Sequence, residues 1–235
     1  MRYVRQHERG LATAQNAAIR AAAADVVAIT DDDCVPDPTW LAVVADAFER
    51  DAGLGLLTGR VLPLPTADTT LVPVSTRPSA VRVQVDASTA PWEIGSGNNF
   101  ALRKSAFESV QGCDGRLGPG RPGRGALDID LFYRLVRAGV RARYEPDAVV
   151  LHEQKPRSER RSRRPDYGFG MGACCMLWHR AGDPNAMNVL RRWLAFRSRL
   201  LLRGVRTGRP GSVYEEALML LGTARGVVYS RRLER

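Results

Sequence analysis

The sequence predicts an α/β fold in which helices are layered against a mixed sheet. Three observations support this class. Apolar runs of strand length alternate with longer amphipathic segments, glycines and prolines separate the two kinds, and 235 residues suffice for one large domain, with or without an appendage. A hydrophobic fraction of 44% and a charged fraction of 26% are ordinary for a globular chain, so a packed core is expected.

The first predicted elements alternate between helix and strand. Residues 11–24 are rich in alanine, a strong helix former, and predict a helix. The apolar run 25–30 predicts a buried strand. Asp37, which is followed by proline, can cap a second helix that ends near residue 50. Residues 55–62 predict the next strand.

The middle of the chain alternates again after a long interruption. Prolines and small polar residues over 63–91 predict a long loop with one short strand at 81–85, and loops of this length are often functional. The elements expected after it are a turn leading into a strand (95–103), a short helix (105–110), a glycine-rich mobile loop (112–125), an amphipathic helix (127–138) and two strands (140–144 and 148–151).

The composition changes after residue 154. We therefore predict one domain over 1–154 and a basic, mainly helical extension over 155–235. The extension starts with an arginine-rich run at 155–164, followed by predicted helices at 166–180, 185–203 and 213–229. Their apolar faces are edged with arginine, which suits packing on the first domain or lying on a membrane surface.

The formal net charge of +10 favours phosphates, nucleic acid or anionic membranes as partners. Few aromatics and no recognisable nucleic-acid motif argue against nucleic acid. The four cysteines lack zinc or disulfide spacing and predict reduced thiols. With neither a signal peptide nor an apolar run of about 20 residues, we expect a cytoplasmic protein, with peripheral contact at the inner face of the plasma membrane as an open possibility.

Three consecutive aspartates, Asp31 to Asp33, follow the predicted strand 25–30. Two like charges about 4 Å apart repel by roughly 4 kcal/mol at an effective dielectric constant near 20. A fold retains such a cluster where a cation binds, and carboxylate oxygens suit a hard divalent metal. A solvated acidic turn is the alternative. An EF-hand is disfavoured, because the glycine and glutamate that its loop requires are missing.

Two more aspartates begin the predicted helix 127–138. Asp128 lies three and four residues before apolar positions and leans toward the inner side, whereas Asp130 lies four before Arg134 on the polar side. The four-residue spacing of Asp130 and Arg134 therefore predicts an ion pair on the helix surface. Asp128 either stabilises the positive end of the helix dipole or acts as a general base in a cleft.

Single polar groups complete the candidate set. His152 ends a predicted strand, where imidazole can bind a divalent transition metal or have only a structural role. Gly97, Asn98 and Asn99 form either a plain turn or a turn whose amides bind hydroxyl groups.

The order of these motifs resembles that of family 2 glycosyltransferases, which have the GT-A fold. The resemblance covers roughly residues 8–153 and is carried by the segments 10–16 (GLATAQN), 25–41 (DVVAITDDDCVPDPTWL), 97–103 (GNNFALR), 127–135 (LDIDLFYRL) and 150–153 (VLHE). It implies an N-terminally incomplete GT-A-like mixed sheet flanked by helices. The family's N-terminal βαβ segment is not in this sequence, so we expect either a mis-assigned start at Met1 or a fragment with impaired donor binding.

The resemblance also implies an activity, the inverting, metal-dependent transfer of a sugar from a nucleotide-sugar donor to an acceptor hydroxyl. The acceptor could be a glycan, a lipid-linked molecule or a small molecule. The alternative is a catalytically impaired domain that binds a glycan or a partner.

The resemblance assigns roles to residues as well. It makes Asp128 the general base, with Leu127 where the family has glutamate. It assigns Mg²⁺ or Mn²⁺ to Asp31, Asp33 and His152. It assigns donor or acceptor contacts to Asp31, Asp32, Gly97, Asn98, Asn99, Trp92 and Asn16.

Overall fold

The structure is a computed structural model that describes residues 3–233, which form two compact units. The sheet unit comprises residues 3–6, 14–114 and 128–157, and the helical unit comprises residues 7–13, 115–127 and 158–233. The sequence placed one boundary after residue 154. The structure places it near residue 157 and adds two earlier segments to the helical unit.

Those two earlier segments bind each other within the helical unit. The backbone N–H of Leu11 donates to the carbonyl of Pro119 over 3.2 Å. Arg121 Nη1 pairs with Glu8 Oε1 at 2.7 Å. Such pairings between residues distant in sequence are not visible in composition, and therefore a division by composition missed them.

The helices are α1 (Leu11–Ala21), α2 (Trp40–Arg50), α3 (Lys104–Ser109), α4 (Leu127–Arg137), α5 (Arg157–Arg180), α6 (Ala186–Arg206) and α7 (Pro210–Tyr229), with 3₁₀ turns at Pro91–Glu93 and Ser230–Arg232. The strands are β1 (Val26–Thr30), β2 (Cys34–Pro36), β3 (Leu54–Pro63), β4 (Leu71–Val72), β5 (Val83–Val85), β6 (Asn99–Arg103), β7 (Arg141–His152) and β8 (Lys155–Pro156). The predicted alternation of helix and strand is confirmed.

The main sheet is mixed, with strand order β1–β6–β3–β7–β2 and with β5 paired to β7. Only β3 and β7 run parallel within it; the other pairs are antiparallel. A second, two-stranded sheet pairs β4 with β8. The main sheet brings the ends of β1 and β7 and the start of β6, which are far apart in sequence, toward one site.

One long strand, β7, replaces the two predicted strands at 140–144 and 148–151. The register with β3 shifts between Gly59 and Arg60, because Gly59 lies opposite Glu145 and Arg60 lies opposite Val149. The residues between form a bulge that accommodates a proline in the strand. The carbonyl of Ala148, at this bulge, accepts from Asn99 Nδ2 over 2.8 Å, so its hydrogen-bonding capacity is met.

Helix α2 packs on the sheet through apolar residues at helical spacing. Trp40, Val44, Ala47 and Phe48 are each at most 6% exposed, and the cluster continues on the sheet with Leu54, Leu57, Ala101, Ala148 and Val150. Burying a side chain such as Val or Phe contributes about 1.5–3 kcal/mol. This cluster holds α2 on the sheet whose strand ends carry the polar residues.

In the helical unit, α5 and α7 approach through glycines. Gly168 and Gly172 of α5 lie against the backbone of Met219 and Thr223 in α7. Gly222 and Gly226 of α7 in turn lie against the backbone of α5 at Pro165 and Phe169. A Cβ at any of the four would overlap the partner's backbone, so both four-residue spacings are required by close packing.

The arginine-rich run is helical, whereas the sequence predicted a helix only from residue 166. Three arginines of α5 face the carboxylate of Glu215 in α7, at 2.7 Å from Arg160, 3.1 Å from Arg164 and 3.7 Å from Arg161. Burial alone would raise the pKa of Glu215, but the hydrogen bonds from Arg160 and Arg164 lower it. The run therefore stabilises the helical unit.

Across residues 3–233, none of the helices combines the length and the hydropathy needed to cross a bilayer.

Candidate active site

The three aspartates lie in a tight turn between β1 and β2. The backbone N–H of Cys34 donates to the carbonyl of Asp31 over 3.2 Å and reverses the chain. Asp31 and Asp33 are half-buried, and Asp32 is exposed. The turn therefore directs two of its carboxylates toward the protein.

Asp31 is the most perturbed member of this turn. Burial raises its pKa to about 6, and the charges of Asp33, Asp128 and Asp32 add to the increase, while His152 opposes it. The contribution of Asp128 shows that the start of α4 lies within electrostatic reach of the turn. A carboxyl group with this environment gains more than an isolated one from an added cation.

Asp33 links the turn to the end of β7. Its Oδ1 lies 3.5 Å from Nε2 of His152, and its Oδ2 lies 3.1 Å from Nζ of Lys155. Lys155 also pairs with Glu153 at 2.5 Å, and this hydrogen bond, followed by the one to Asp33, raises the pKa of the lysine. The two oxygens of Asp33 thus face different partners.

The tautomer of the neutral His152 ring follows from the hydrogen bond at Nδ1. Nδ1 lies 2.8 Å from the backbone carbonyl of Glu153. Because a carbonyl only accepts, Nδ1 carries the proton in the neutral ring, and the lone pair of Nε2 faces Asp33. Imidazole in this tautomer is ready to bind a metal.

Cys34 lies beside these two residues. It is directly opposite His152 in the antiparallel pairing of β2 with β7, and its Sγ lies 3.8 Å from Asp33 Oδ1. Burial raises the pKa of the thiol to about 11. The donor atoms of Asp33, Cys34 and His152 all lie within 4.8 Å of one another.

The sequence-based site did not include Cys34 or Lys155. Each of them has a sequence feature that could have drawn attention to it. Cys34 directly follows the aspartates, and Lys155 is one of only two lysines in the chain. Neither signal gives a direction for the side chain, so the pairing of β2 with β7 was needed to place them.

Asp128 begins α4 facing the turn before β6. Its Oδ2 accepts from the backbone N–H of Gly97 over 2.8 Å. Burial raises its pKa, although hydrogen bonds from the backbone of Ile129 and Gly97 oppose the increase. A half-buried carboxylate with a raised pKa, held in place by N–H donors, has the properties of a general base.

Asp130 forms the predicted ion pair, with 2.6 Å between its Oδ2 and Nη2 of Arg134. Its predicted location on the polar side is wrong, because the residue is only 2% exposed. Arg134 also donates to the carbonyls of Val110 and Gly112, at 2.6 and 2.8 Å, and so lies over Asp130. This pair is part of the scaffold of the sheet unit.

The two asparagines after Gly97 have different roles. Asn99 Nδ2 donates to the carbonyls of Arg60 and Ala148, and its Oδ1 accepts from Trp40, so its amide supports the core. Asn98 is 2% exposed, and neither polar atom of its amide has a hydrogen-bond partner among the described residues. Since β1 and β6 pair Thr30 with Asn99, Asn98 is the next residue along beside Asp31.

The other two predicted contact residues, Asn16 and Trp92, also belong to the sheet unit. The amide of Asn16 is bonded to Cys113, donating to its carbonyl over 3.0 Å and accepting from its N–H over 2.8 Å. Trp92 is half-buried in the 3₁₀ turn Pro91–Glu93. Ligand contacts of Asn16 and Trp92 stay predictions.

The residues present fit a divalent metal. Asp31 and Asp33 supply oxygen donors, and the Nε2 lone pair of His152 faces Asp33. Burial, followed by the charges of neighbouring carboxylates, raises the pKa of Asp31, and a cation bound there would favour the ionised form. Oxygen with one imidazole suits Mg²⁺ or, better, Mn²⁺.

Comparisons with known proteins support the sequence-based resemblance. The family model described as Glycosyl transferase family 2 matches residues 1–110. Two curated relatives, each named pre-mycofactocin glycosyltransferase, come from the CDC 1551 / Oshkosh and ATCC 25618 / H37Rv strains of Mycobacterium tuberculosis. Each is 30% identical over 153 residues. The match covers 63% of this chain but only 31% of each relative, so the chain spans about a third of their length.

Among solved structures, the fold resembles that of the mannosyltransferase PcManGT from Pyrobaculum calidifontis, solved in complex with GDP-Man and Mn²⁺. The TM-score is 0.58 with 20% sequence identity, and the match covers 94% of this chain and 67% of that one. At this identity the likeness shows the fold alone. It confirms the predicted GT-A-like mixed sheet flanked by helices.

Proposed function

On the premise that this chain has the sequence features and the fold of family 2 glycosyltransferases, we propose that it transfers a sugar from a nucleotide-sugar donor to an acceptor hydroxyl with inversion. The observation that carries the proposal is the convergence of Asp31, Asp33, Asp128 and His152 at one end of the sheet. The pKa of Asp31 responds to the other three. One cluster thus supplies a cation site and a separate base.

Asp128 is the proposed general base. In the reaction, the acceptor oxygen forms a bond to the anomeric carbon of the sugar, while the bond from that carbon to the diphosphate breaks. The acceptor proton passes to Asp128, and the nucleoside diphosphate leaves with the bonding electrons. The raised pKa of Asp128 favours this proton transfer, and its hydrogen bond from Gly97 fixes the direction of the carboxylate.

The diphosphate would lie at the acidic turn. Asp31, Asp33 and His152 would hold Mg²⁺ or Mn²⁺, and a metal there supplies electrostatic stabilisation of the leaving diphosphate. Asp32 is exposed beside them and is proposed to contact the donor. Because the solved neighbour was determined with GDP-Man and Mn²⁺, this pair is the first to test.

Asn98 is the proposed contact for a sugar hydroxyl. A buried amide without a partner costs about 1–3 kcal/mol, and a hydroxyl group can both donate to it and accept from it. The fully bonded Asn99 then supports the turn from within the core.

The test is a transfer assay with the full chain, Mn²⁺ and a panel of nucleotide-sugars, with donor binding measured separately by calorimetry. Asp128→Asn should abolish transfer and retain donor binding. Asp33→Ala should abolish metal-dependent donor binding or hydrolysis. Asp68→Asn, at an exposed turn, is the matched control. An active Asp128→Asn variant would remove this residue as the base, and binding without transfer in the wild type would favour the alternative of a binding protein.

We also propose that the helical unit contacts an anionic membrane surface. The exposed side of α6 carries Leu202 and Val205, which are 52% and 58% exposed. Arginines 199, 203 and 206 are exposed on the same helix. Exposed apolar side chains flanked by arginines are typical of helices that lie in the headgroup region.

A further inference from the structure

Cys34 adds a sulfur donor to the proposed metal site. Its thiol and the imidazole of His152 lie on the same face of the sheet, since the two residues are direct partners in an antiparallel pair. The turn directs Oδ1 of Asp33 at both of them. Lys155 binds the other oxygen, Oδ2, and leaves Oδ1 available.

The spacing of these donors matches a small tetrahedral metal. Bonds of about 2.0–2.3 Å in tetrahedral geometry place ligand atoms about 3.3–3.8 Å apart. Asp33 Oδ1 lies 3.5 Å from His152 Nε2 and 3.8 Å from Cys34 Sγ. All three donors lie within 4.8 Å of one another.

We propose that Asp33, Cys34 and His152 form a three-ligand site for a thiophilic divalent metal of the Zn²⁺ and Co²⁺ class, with Cys34 bound as thiolate. Soft sulfur ligands favour such metals over Mg²⁺ and Mn²⁺. Three protein ligands leave a fourth position open, as in catalytic rather than structural zinc sites. This inference rests on the proposed function, since Asp33 and His152 are also proposed ligands of Mg²⁺ or Mn²⁺, and Zn²⁺ or Co²⁺ would compete with those metals for them.

The binding step is balanced by one proton. The Cys34 S–H bond breaks, its proton passes to the buffer, and a bond between sulfur and the metal forms. Asp33 brings one negative charge and the thiolate another, which together match a divalent cation.

Cobalt titration of the full chain tests the site without any sugar donor. The wild type should bind Co²⁺ and develop the near-ultraviolet charge-transfer band of a cobalt thiolate. Cys34→Ser should lose the band and bind Zn²⁺ more than about tenfold more weakly, with Mn²⁺ affinity changed less than about threefold. The matched control is Cys113→Ser, because Cys113 is buried elsewhere in the sheet unit, with Gln15 as a side-chain partner. It should behave as the wild type.

A second measurement uses the wild type alone and does not depend on the folding of a variant. Zn²⁺, but not Mg²⁺, should slow the alkylation of Cys34, read by mass spectrometry. Unchanged alkylation, cobalt binding without the band, or a band that persists in Cys34→Ser would each overturn the inference. If the band forms but no donor is transferred with any metal, the inference stands and the proposed function fails. Sugar transfer with Mn²⁺ by a protein that shows no cobalt band would support the proposed function and overturn the inference.

Discussion

The carboxylate of Asp128 accepts a hydrogen bond from the backbone N–H of Gly97 over 2.8 Å. This bond joins the start of α4 to the turn that leads into β6. A Cβ built on Gly97 would lie 3.0 Å from Cβ of Asp128 and 3.2 Å from its carboxyl carbon. The glycine thus lets the backbone come close enough to hold the proposed base.

Gly97→Ala should therefore reduce kcat about tenfold, a loss of about 1.4 kcal/mol of transition-state stabilisation. The added methyl group displaces Asp128, while the acidic turn that would bind the donor is unchanged, so KM for the donor should change little. Steady-state kinetics check this. Gly115→Ala, where a Cβ meets nothing within 4 Å, is the control. Equal losses in both variants would contradict the positioning role.

The raised pKa of Asp31 predicts that the ionised carboxylate, which can bind a metal, destabilises the metal-free protein. Folding raises this pKa from 3.8 to about 6, so protonation of Asp31 stabilises the folded state. This stabilisation is fully present below pH 3.8 and is lost as the pH rises through about 6. Asp31→Asn should therefore stabilise the metal-free protein at pH 8 by about 1–2 kcal/mol after allowance for solvent screening, and should have little effect near pH 4.

Thermal unfolding at the two pH values measures this effect, and the expected rise at pH 8 is about 3–6 °C. Asp32→Asn, at an exposed position, is the control and should give a smaller rise. Mn²⁺ should raise the unfolding temperature of the wild type more at pH 7.5 than at pH 5, since protons compete for Asp31 below about pH 6. A pH-independent effect of Asp31→Asn would refute the assignment.

Arg134 pairs with the buried Asp130 and donates to two loop carbonyls. Arg134→Met should destabilise the protein by about 3 kcal/mol, because it leaves a buried charge unpaired. The double variant Asp130→Leu/Arg134→Met should recover part of that loss, since no buried charge remains. Urea unfolding measures both. Equal destabilisation in the single and double variants would mean that the packing of Arg134, and not its charge, is what matters.

The exposed face of α6 predicts binding to anionic vesicles. The wild type should float with vesicles that contain phosphatidylserine, and Leu202→Ser/Val205→Ser should reduce the bound fraction severalfold, because it removes the apolar contact. Ala195→Ser, also exposed on α6, is the control. A wild type that stays unbound at low salt would count against the membrane proposal.

The fold class and the most informative motifs could be predicted from the sequence. Helical and strand periodicities are local, so they predicted α2, β3, β6 and α4 closely. Adjacent carboxylates repel wherever the chain places them, so the run from Asp31 to Asp33 indicated a cation through its composition alone. The order of the motifs then indicated the glycosyltransferase family.

Which side chains meet depends on the tertiary structure. The pairing of β2 with β7 set Cys34 against His152, and the close packing of α5 on α7 gave the arginine run a buried partner in Glu215. The structure also distinguishes the two asparagines. The Asn99 amide is hydrogen-bonded within the core, whereas Asn98 is buried and its amide has no hydrogen-bond partner among the described residues. Such contacts join residues that are far apart along the chain, and no local pattern records them. Burial, which sets the charges and pKa values of a site, likewise exists only once the chain has packed.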